Sequence, residues 1–334
     1  MKASKANPVY TASVVADGVK YNISPAVQEI SLSDRDRQIA QCATIQLAQQ
    51  KIGDRWLSSL LKVRSRVYIT ANDGERNEEV FRGYIWTTTY RSQNDGKSLA
   101  IKCYDNLIYF QESEESQFFA SGKSTKDVIS SICSKWGVEL DYSYSSITHG
   151  KLALRGALSD IITSDVLDLA KDRTGKKYVV RSEKDTIKVM TVGQNTTIYN
   201  IRSKENAIST ASTNTMDGMT TKVVILGKAD DNDRRPVEAT VTDGTAEYGT
   251  LQKIITRDED TSLADAKKEA QSILKENSKP QWEGEVEAVD IPWIRKGDKV
   301  QLSAGDMVNY YIVKSAEHNI TGQSKTMSLT IENV

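Results

Sequence analysis

Residues 67–71 read Val67-Tyr68-Ile69-Thr70-Ala71, and residues 300–304 read Val300-Gln301-Leu302-Ser303-Ala304. In both stretches apolar side chains stand at alternate positions, the period of a strand with one buried face. Each follows a basic, turn-like entry, Lys62-Val63-Arg64-Ser65-Arg66 in the first and Arg295-Lys296-Gly297-Asp298-Lys299 in the second. After a polar loop, Tyr84-Ile85-Trp86-Thr87-Thr88 lines up with Tyr311-Ile312-Val313-Lys314-Ser315. Leu99-Ala100-Ile101-Lys102-Cys103 then lines up with Met327-Ser328-Leu329-Thr330-Ile331. Three strands in the same order and phase predict two related β-modules, one near each end of the chain. Such a chain offers two similar surfaces, which is a property of assembly and not of catalysis.

The chain has 334 residues, enough for about two or three domains with sizeable cores. Lys and Arg total 44 against 45 Asp and Glu, a formal net charge of −1. That balance gives no long-range pull towards phosphates or anionic lipid, so no specific nucleic-acid binding and no membrane insertion are expected. The longest aliphatic run, Val223-Val224-Ile225-Leu226, is too short to cross a bilayer, and residues 1–10 lack the apolar stretch of a signal peptide. Synthesis in the cytoplasm without a signal peptide is the expectation. Cys42, Cys103 and Cys133 are widely spaced and form no C-x-x-C. They predict buried or half-buried thiols and argue against a disulfide framework or a zinc site.

The expected fold class is mainly β with an α+β insert: two related β-barrel domains flanking or bracketing a smaller α+β domain. Residues 1–112 form the N-terminal barrel in this reading. Turn signals such as Asp17-Gly18, Asn72-Asp73-Gly74 and Asn94-Asp95-Gly96 separate its short strands. Residues 113–202 form the α+β middle domain. There Ser124 and Asp127 cap a helix whose face carries Val128, Ile129, Ile132 and Trp136, ending at Gly137. A second helix over Ile161 to Arg173 turns Ile162, Val166, Leu169 and Ala170 inward and ends at Gly175. Strands follow around Tyr178 to Arg181 and Thr186 to Thr191. Residues 203–334 form the C-terminal barrel, opening with a Ser/Thr/Asn-rich linker or exposed edge from Ser203 to Thr221. One helix, about 262–277, interrupts it, with Ser262 and Asp265 at its start and Leu263, Ala266, Ala270, Ile273 and Leu274 on its apolar stripe.

Little in the chain looks catalytic. Gly122-Lys123-Ser124-Thr125 resembles the tail of a phosphate-binding loop, but Gln117 stands where the first glycine belongs, so a capped helix entry is the better reading. Asp231-Asn232-Asp233 hints at a calcium loop but places Pro236 where that loop needs glycine. His149, expected exposed in a loop, and His318, expected as a half-buried packing residue, are the only histidines, which excludes a multi-His metal centre. Glu283, Glu285 and Glu287 share one strand face at a spacing of about 7 Å, which in principle suits a pair of glycosidase carboxylates. A solvent-facing strand shows the same alternation, so no catalytic, cofactor or metal residue is assigned. Tyrosine outnumbers phenylalanine 14 to 4, a bias that favours surfaces meeting partners. Tyr84, Trp86, Tyr90, Tyr310 and Tyr311, on the repeated strands, are the candidate interface residues.

Five pieces of the chain resemble the baseplate hub proteins of contractile phage tails, most nearly the XkdQ type of PBSX-like prophages and phage-tail bacteriocins. They are Phe81-Arg82-Gly83-Tyr84-Ile85, Cys103-Tyr104-Asp105-Asn106-Leu107-Ile108-Tyr109-Phe110, Thr174-Gly175-Lys176-Lys177-Tyr178, Arg295-Lys296-Gly297-Asp298-Lys299-Val300 and Tyr311-Ile312-Val313-Lys314-Ser315-Ala316-Glu317-His318. The resemblance implies a non-enzymatic homotrimer without cofactors, whose two barrels per subunit make a pseudo-sixfold ring. Its implied partners are the tail tube protein, the central spike protein and other baseplate proteins. The implied place is the tail baseplate of a virion or phage-tail-like particle, after synthesis in a bacterium. A cell-wall glycan-binding or glycan-hydrolysing module, with Glu283 to Glu287 as its site, is the competing reading. The spike-and-hub proteins of type VI secretion are a third, disfavoured by the expected lack of a β-helical tail.

Overall fold

The computed structural model describes residues 7–93, 96–142, 144, 147–229, 234–257 and 262–334. The protein is mainly β, with short helices at Ser24–Ala26 and Leu57–Leu60 and further helices in an α+β insert and in residues 212–283. Its dominant element is a 13-stranded sheet, whose strands are numbered here in chain order. They are β1 (Val9–Ala16), β2 (Val19–Asn22), β3 (Val27–Asp34), β4 (Cys42–Ala48), β5 (Arg66–Asn72), β6 (Asn77–Gln93), β7 (Gly96–Tyr104), β8 (Tyr199–Arg202), β9 (Ala207–Thr215), β10 (Gln281–Val289), β11 (Lys299–Ala304), β12 (Met307–Thr321) and β13 (Lys325–Asn333).

The strand order shows the repeat. One half runs β3-β4-β7-β6-β5-β1, with β2 beyond it, and the other runs β9-β10-β13-β12-β11-β8. The six positions correspond one to one. The sixth differs in direction, since β1 is antiparallel to β5 while β8 is parallel to β11. The halves join where β12 pairs with β3, Ala316 to Thr321 lying against Asp34 to Glu29.

The correspondence reaches individual hydrogen bonds. Ile85 lies opposite Cys103 and Thr87 opposite Lys102, leaving Trp86 as an extra bulged residue. Val313 lies opposite Ile331 and Ser315 opposite Thr330, leaving Lys314 bulged in the same place. The turn before each meander is also shared: Arg64 N–H donates to the Ile85 carbonyl at 2.7 Å, and Gly297 N–H donates to the Val313 carbonyl at 2.7 Å. Arg64 and Gly297 both have positive φ, 69° and 85°. Glycine meets that backbone requirement without strain, whereas Arg64 adopts it against its preference. Val67, Ile69, Ile101 and Cys103 correspond to Val300, Leu302, Leu329 and Ile331, and all eight are buried.

The middle strand corrects the sequence alignment by one residue, because Ile85 corresponds to Val313 and not to Ile312. Tyr311, Ile312 and Val313 are all buried, so alternation has no phase there to fix the register.

Among the described residues, 105–198 add no strand to the large sheet. Glu114–Phe119, just past the expected boundary at residue 112, pairs with Leu152–Ala157. Tyr178–Glu183, Thr186–Thr191 and Leu140–Tyr142 form a three-stranded sheet. Helix Thr125–Lys135 begins with Ser124 and Asp127 in a reciprocal capping box and buries Val128, Ile129 and Ile132. The second expected helix contains a π-helical stretch, Ile161–Leu167. Its wider turn rotates the following residues, so Leu169 is 41 % exposed while Ile161 and Leu167 are buried. Gly175 ends this helix in the left-handed conformation.

Contact density divides the chain into two compact units, Met1–Ala211 with Gly284–Val334, and Ser212–Glu283. This division follows different lines from the three expected segments, because the sheet ties both chain ends into one unit. In the second unit, Lys222–Leu226 lies between Val237–Thr242 and Gln252–Thr256. Helix Leu263–Asn277, capped by Ser262, packs Ala266, Ala270 and Leu274 on Val223 and Ile225.

Gly83 marks the closest approach in the first meander. A Cβ there would lie 2.1 Å from the Tyr104 carbonyl oxygen, whereas one at Gly150 would meet nothing within 4 Å. Gly83→Ala is therefore expected to lower stability by about 1–3 kcal/mol in urea denaturation, with Gly150→Ala near neutral. A Gly83→Ala protein with the parent's midpoint would contradict this packing.

Candidate interaction surface

The middle strands β6 and β12 position the expected interface residues, and they do so unequally. The bulge in β6 turns Trp86 outward, leaving it 38 % exposed. Its ring is braced edge-to-face by Tyr104 and Tyr109, with centroids 6.3 and 5.9 Å away. Tyr84 meets Tyr109 at 5.8 Å and lies under the Arg66 guanidinium at 4.5 Å. These contacts hold large amphipathic rings in fixed orientations at the surface, as interface aromatics require. Tyr90 and Tyr310 are exposed, whereas Tyr311 is only 6 % exposed and faces inward. Tyr104 and Tyr109 were not among the expected interface residues. Their signal lay in the Cys103 to Phe110 motif, whose short helix Ile108–Gln111 carries Tyr109 to the Trp86 ring.

A buried set of ion pairs fixes the turn before β11. Arg295 grips Asp34 with two bonds, Nε to Oδ2 at 2.7 Å and Nη2 to Oδ1 at 2.8 Å. Arg181 meets Asp298 at 2.8 Å and also donates to the Lys296 carbonyl. Burial alone would raise the Asp34 carboxyl, but the Arg295 guanidinium holds it down at about 2. Asp105 lies within the electrostatic reach of Arg295 but, among the described residues, has no ion-pair partner of its own. It accepts from the backbone N–H groups of Gln41 and Leu107 at 3.1 and 3.0 Å. Burial pushes its carboxyl up to about 7 against the pull of Arg295.

The positions weighed for chemistry serve the fold instead. Ser124 caps its helix, as the chain pattern required. His149, expected exposed, is buried, with Nε2 2.9 Å from the Thr125 hydroxyl. The loop around it packs down because Gly122 N–H donates to the His149 carbonyl at 3.0 Å and His149 N–H donates to the Lys123 carbonyl at 2.9 Å. His318 is also buried, held by Asp290 at 2.6 Å and the Ile294 carbonyl at 2.9 Å. Burial lowers its basicity, and the Asp290 carboxylate more than reverses that, so its pKa is raised. Glu285 and Glu287 are exposed on β10, and Glu287 accepts from the Ser209 hydroxyl at 3.3 Å. Asp231-Asn232-Asp233 lies outside the described residues. Among the described residues no group of His, Cys, Asp and Glu is arranged to hold a metal ion, and no helix is long and apolar enough to cross a membrane.

A protein-family profile described as YQBQ-like matches residues 44–332. Curated protein sequences give no match. Among solved structures, the tail protein of Neisseria meningitidis MC58 is similar with a TM-score of 0.71 at 12 % identity, over 97 % of this chain and 96 % of that one. The 43 kDa tail protein of prophage MuSo2 from Shewanella oneidensis gives 0.72 at 12 % identity, over 97 % and 98 %. An Escherichia coli component of the type VI secretion system, described as structurally similar to the T4 bacteriophage tail proteins gp27 and gp5, gives 0.58 at 8 % identity, over 96 % and 76 %. At these identities the likeness is one of fold.

The buried Asp105 carboxyl carries a pH signature. A carboxyl raised from 3.8 to about 7 on folding contributes stability that is fully present below about pH 4 and lost as pH rises through about 7. Asp105→Asn, which removes the charge, should flatten the decline in urea midpoint between those limits. An unchanged slope in the variant would contradict the assignment.

Proposed function

The chain belongs to the YQBQ-like family, and on that premise we propose that it is the structural baseplate hub of a contractile phage tail or phage-tail-like particle. Three copies form a pseudo-sixfold ring that joins a sixfold tail tube to a threefold spike. The observation that carries this reading is the repeated six-strand order with its matched bulges. Closed symmetric assemblies repeat the same contact, so a trimer meets a sixfold partner without mismatch only if each subunit presents two equivalent surfaces. The meander β5-β6-β7 supplies one surface and β11-β12-β13 the other, while residues 105–198 stand outside the repeat.

In this reading the tail tube protein, the central spike protein and other baseplate proteins are the partners. Trp86, braced by Tyr104 and Tyr109, together with Tyr84, Tyr90 and Tyr310, supplies apolar area for such contacts. The fold likeness to tail proteins agrees with this role. The hub acts by shape and strand pairing, with no catalytic step. Native mass spectrometry of the purified chain at micromolar concentration should give the mass of three chains. A persistent single-chain mass would contradict the proposal.

A further inference from the structure

The two copies of the repeat differ in what covers the outer half of the middle strand. In the second copy, Ala316 to Thr321 of β12 pair with Asp34 to Glu29 of β3, and Ala316, His318 and Ile320 are buried. The matched bulges make Thr88 to Gln93 of β6 the corresponding residues. They pair with β7 on one side, and among the described residues no strand pairs on the other. Residues 86–92 are all exposed.

The missing strand has a counterpart at the far end of the sheet. β9 lies beyond β10 as β3 lies beyond β4. Glu287, opposite Ser328, corresponds to Gln46, opposite Ala100. Glu29 lies opposite Gln46, and the Ser209 hydroxyl meets Glu287 at 3.3 Å, so Ser209 takes the place of Glu29. Burial agrees: Val27-Gln28-Glu29-Ile30 runs half-buried, exposed, exposed, buried, and Ala207-Ile208-Ser209-Thr210 runs half-buried, exposed, exposed, half-buried. β9 is the last strand at its end of the sheet, yet Ala207 to Thr215 carries neither a charge nor a proline. Those are the usual protections of an exposed edge, and this edge lacks them.

We propose that β9 of one chain adds to the free edge of β6 in a second copy, antiparallel and in the register of β3 on β12. Asn319 lies opposite Ser31 and Ile320 opposite Ile30, which sets Arg91 opposite Ala211 and Ser92 opposite Thr210 between copies. The contact is head-to-tail, so every chain uses both edges, and closure after three copies rests on the hub reading above.

Directly opposed residues in such a pair have Cα atoms about 4.5–5.5 Å apart, within disulfide reach. The full chain carrying Cys42→Ser, Arg91→Cys and Ala211→Cys should cross-link on oxidation into a reducible three-chain species. Thr210→Cys in place of Ala211→Cys points the two thiols to opposite faces and should give none. The mass in solution is measured on the same samples. A trimer that fails to cross-link at Arg91 and Ala211, or that cross-links only in the shifted variant, overturns this pairing and leaves the hub reading standing. A monomer without cross-links overturns both.

Discussion

The antiparallel ladder between Glu29–Asp34 and Ala316–Thr321 joins strands from opposite ends of the chain into one sheet. Closing so long a loop costs only slowly more than closing a short one, and the ladder repays it through burial. Ile320 enters the first core beside Ile30 and Ile45. Without this ladder the two halves would be separate sheets, each with a further open edge, and open edges invite uncontrolled pairing. The ladder also fixes how one copy of the repeat follows the other within a subunit.

The insert reinforces that relation by gripping both copies at the same turn. Asp185, at the tip of the hairpin of residues 178–191, pairs with Arg66 and with Arg82 in the first copy. Arg181 and the Ser182 carbonyl, on the same hairpin, engage Asp298 and Arg295 in the second. The backbone of the two turns is the same, but their side chains have been assigned to different parts of one insert. Buried pairs such as Arg181 with Asp298 cost desolvation, so their net contribution to stability is small. Their geometry nonetheless leaves the hairpin one way to lie, since removing either partner would strand a buried charge.

Much of the fold was legible because alternation is strong in the meander strands. Val67, Ile69, Val300 and Leu302 are buried as their period requires, and Ser124 and Ser262 cap their helices as their spacing requires. Legibility failed where period was weak or tertiary context decided. The continuous apolar run Tyr311-Ile312-Val313 hid a one-residue slip, and the π-helical turn moved Leu169 to the surface. No local signal tells that His149 is covered, since the cover comes from a segment twenty-odd residues earlier in the chain. The polar run from Ser203 read equally as linker or exposed edge, and the strand β9 is that edge. Of the interface aromatics, Trp86 was readable by type, but its bracing by Tyr104 and Tyr109 depends on a bulge that sequence does not announce.

The most direct measurement is an electron cryomicroscopy map of the assembled tail tip, reconstructed without imposed symmetry, with this chain placed in it. Six meanders should lie on one ring, β5-β6-β7 alternating with β11-β12-β13 and all presenting corresponding edges to the same side. Meanders at two different levels, or corresponding strands facing opposite sides of the ring, would contradict a pseudo-sixfold hub.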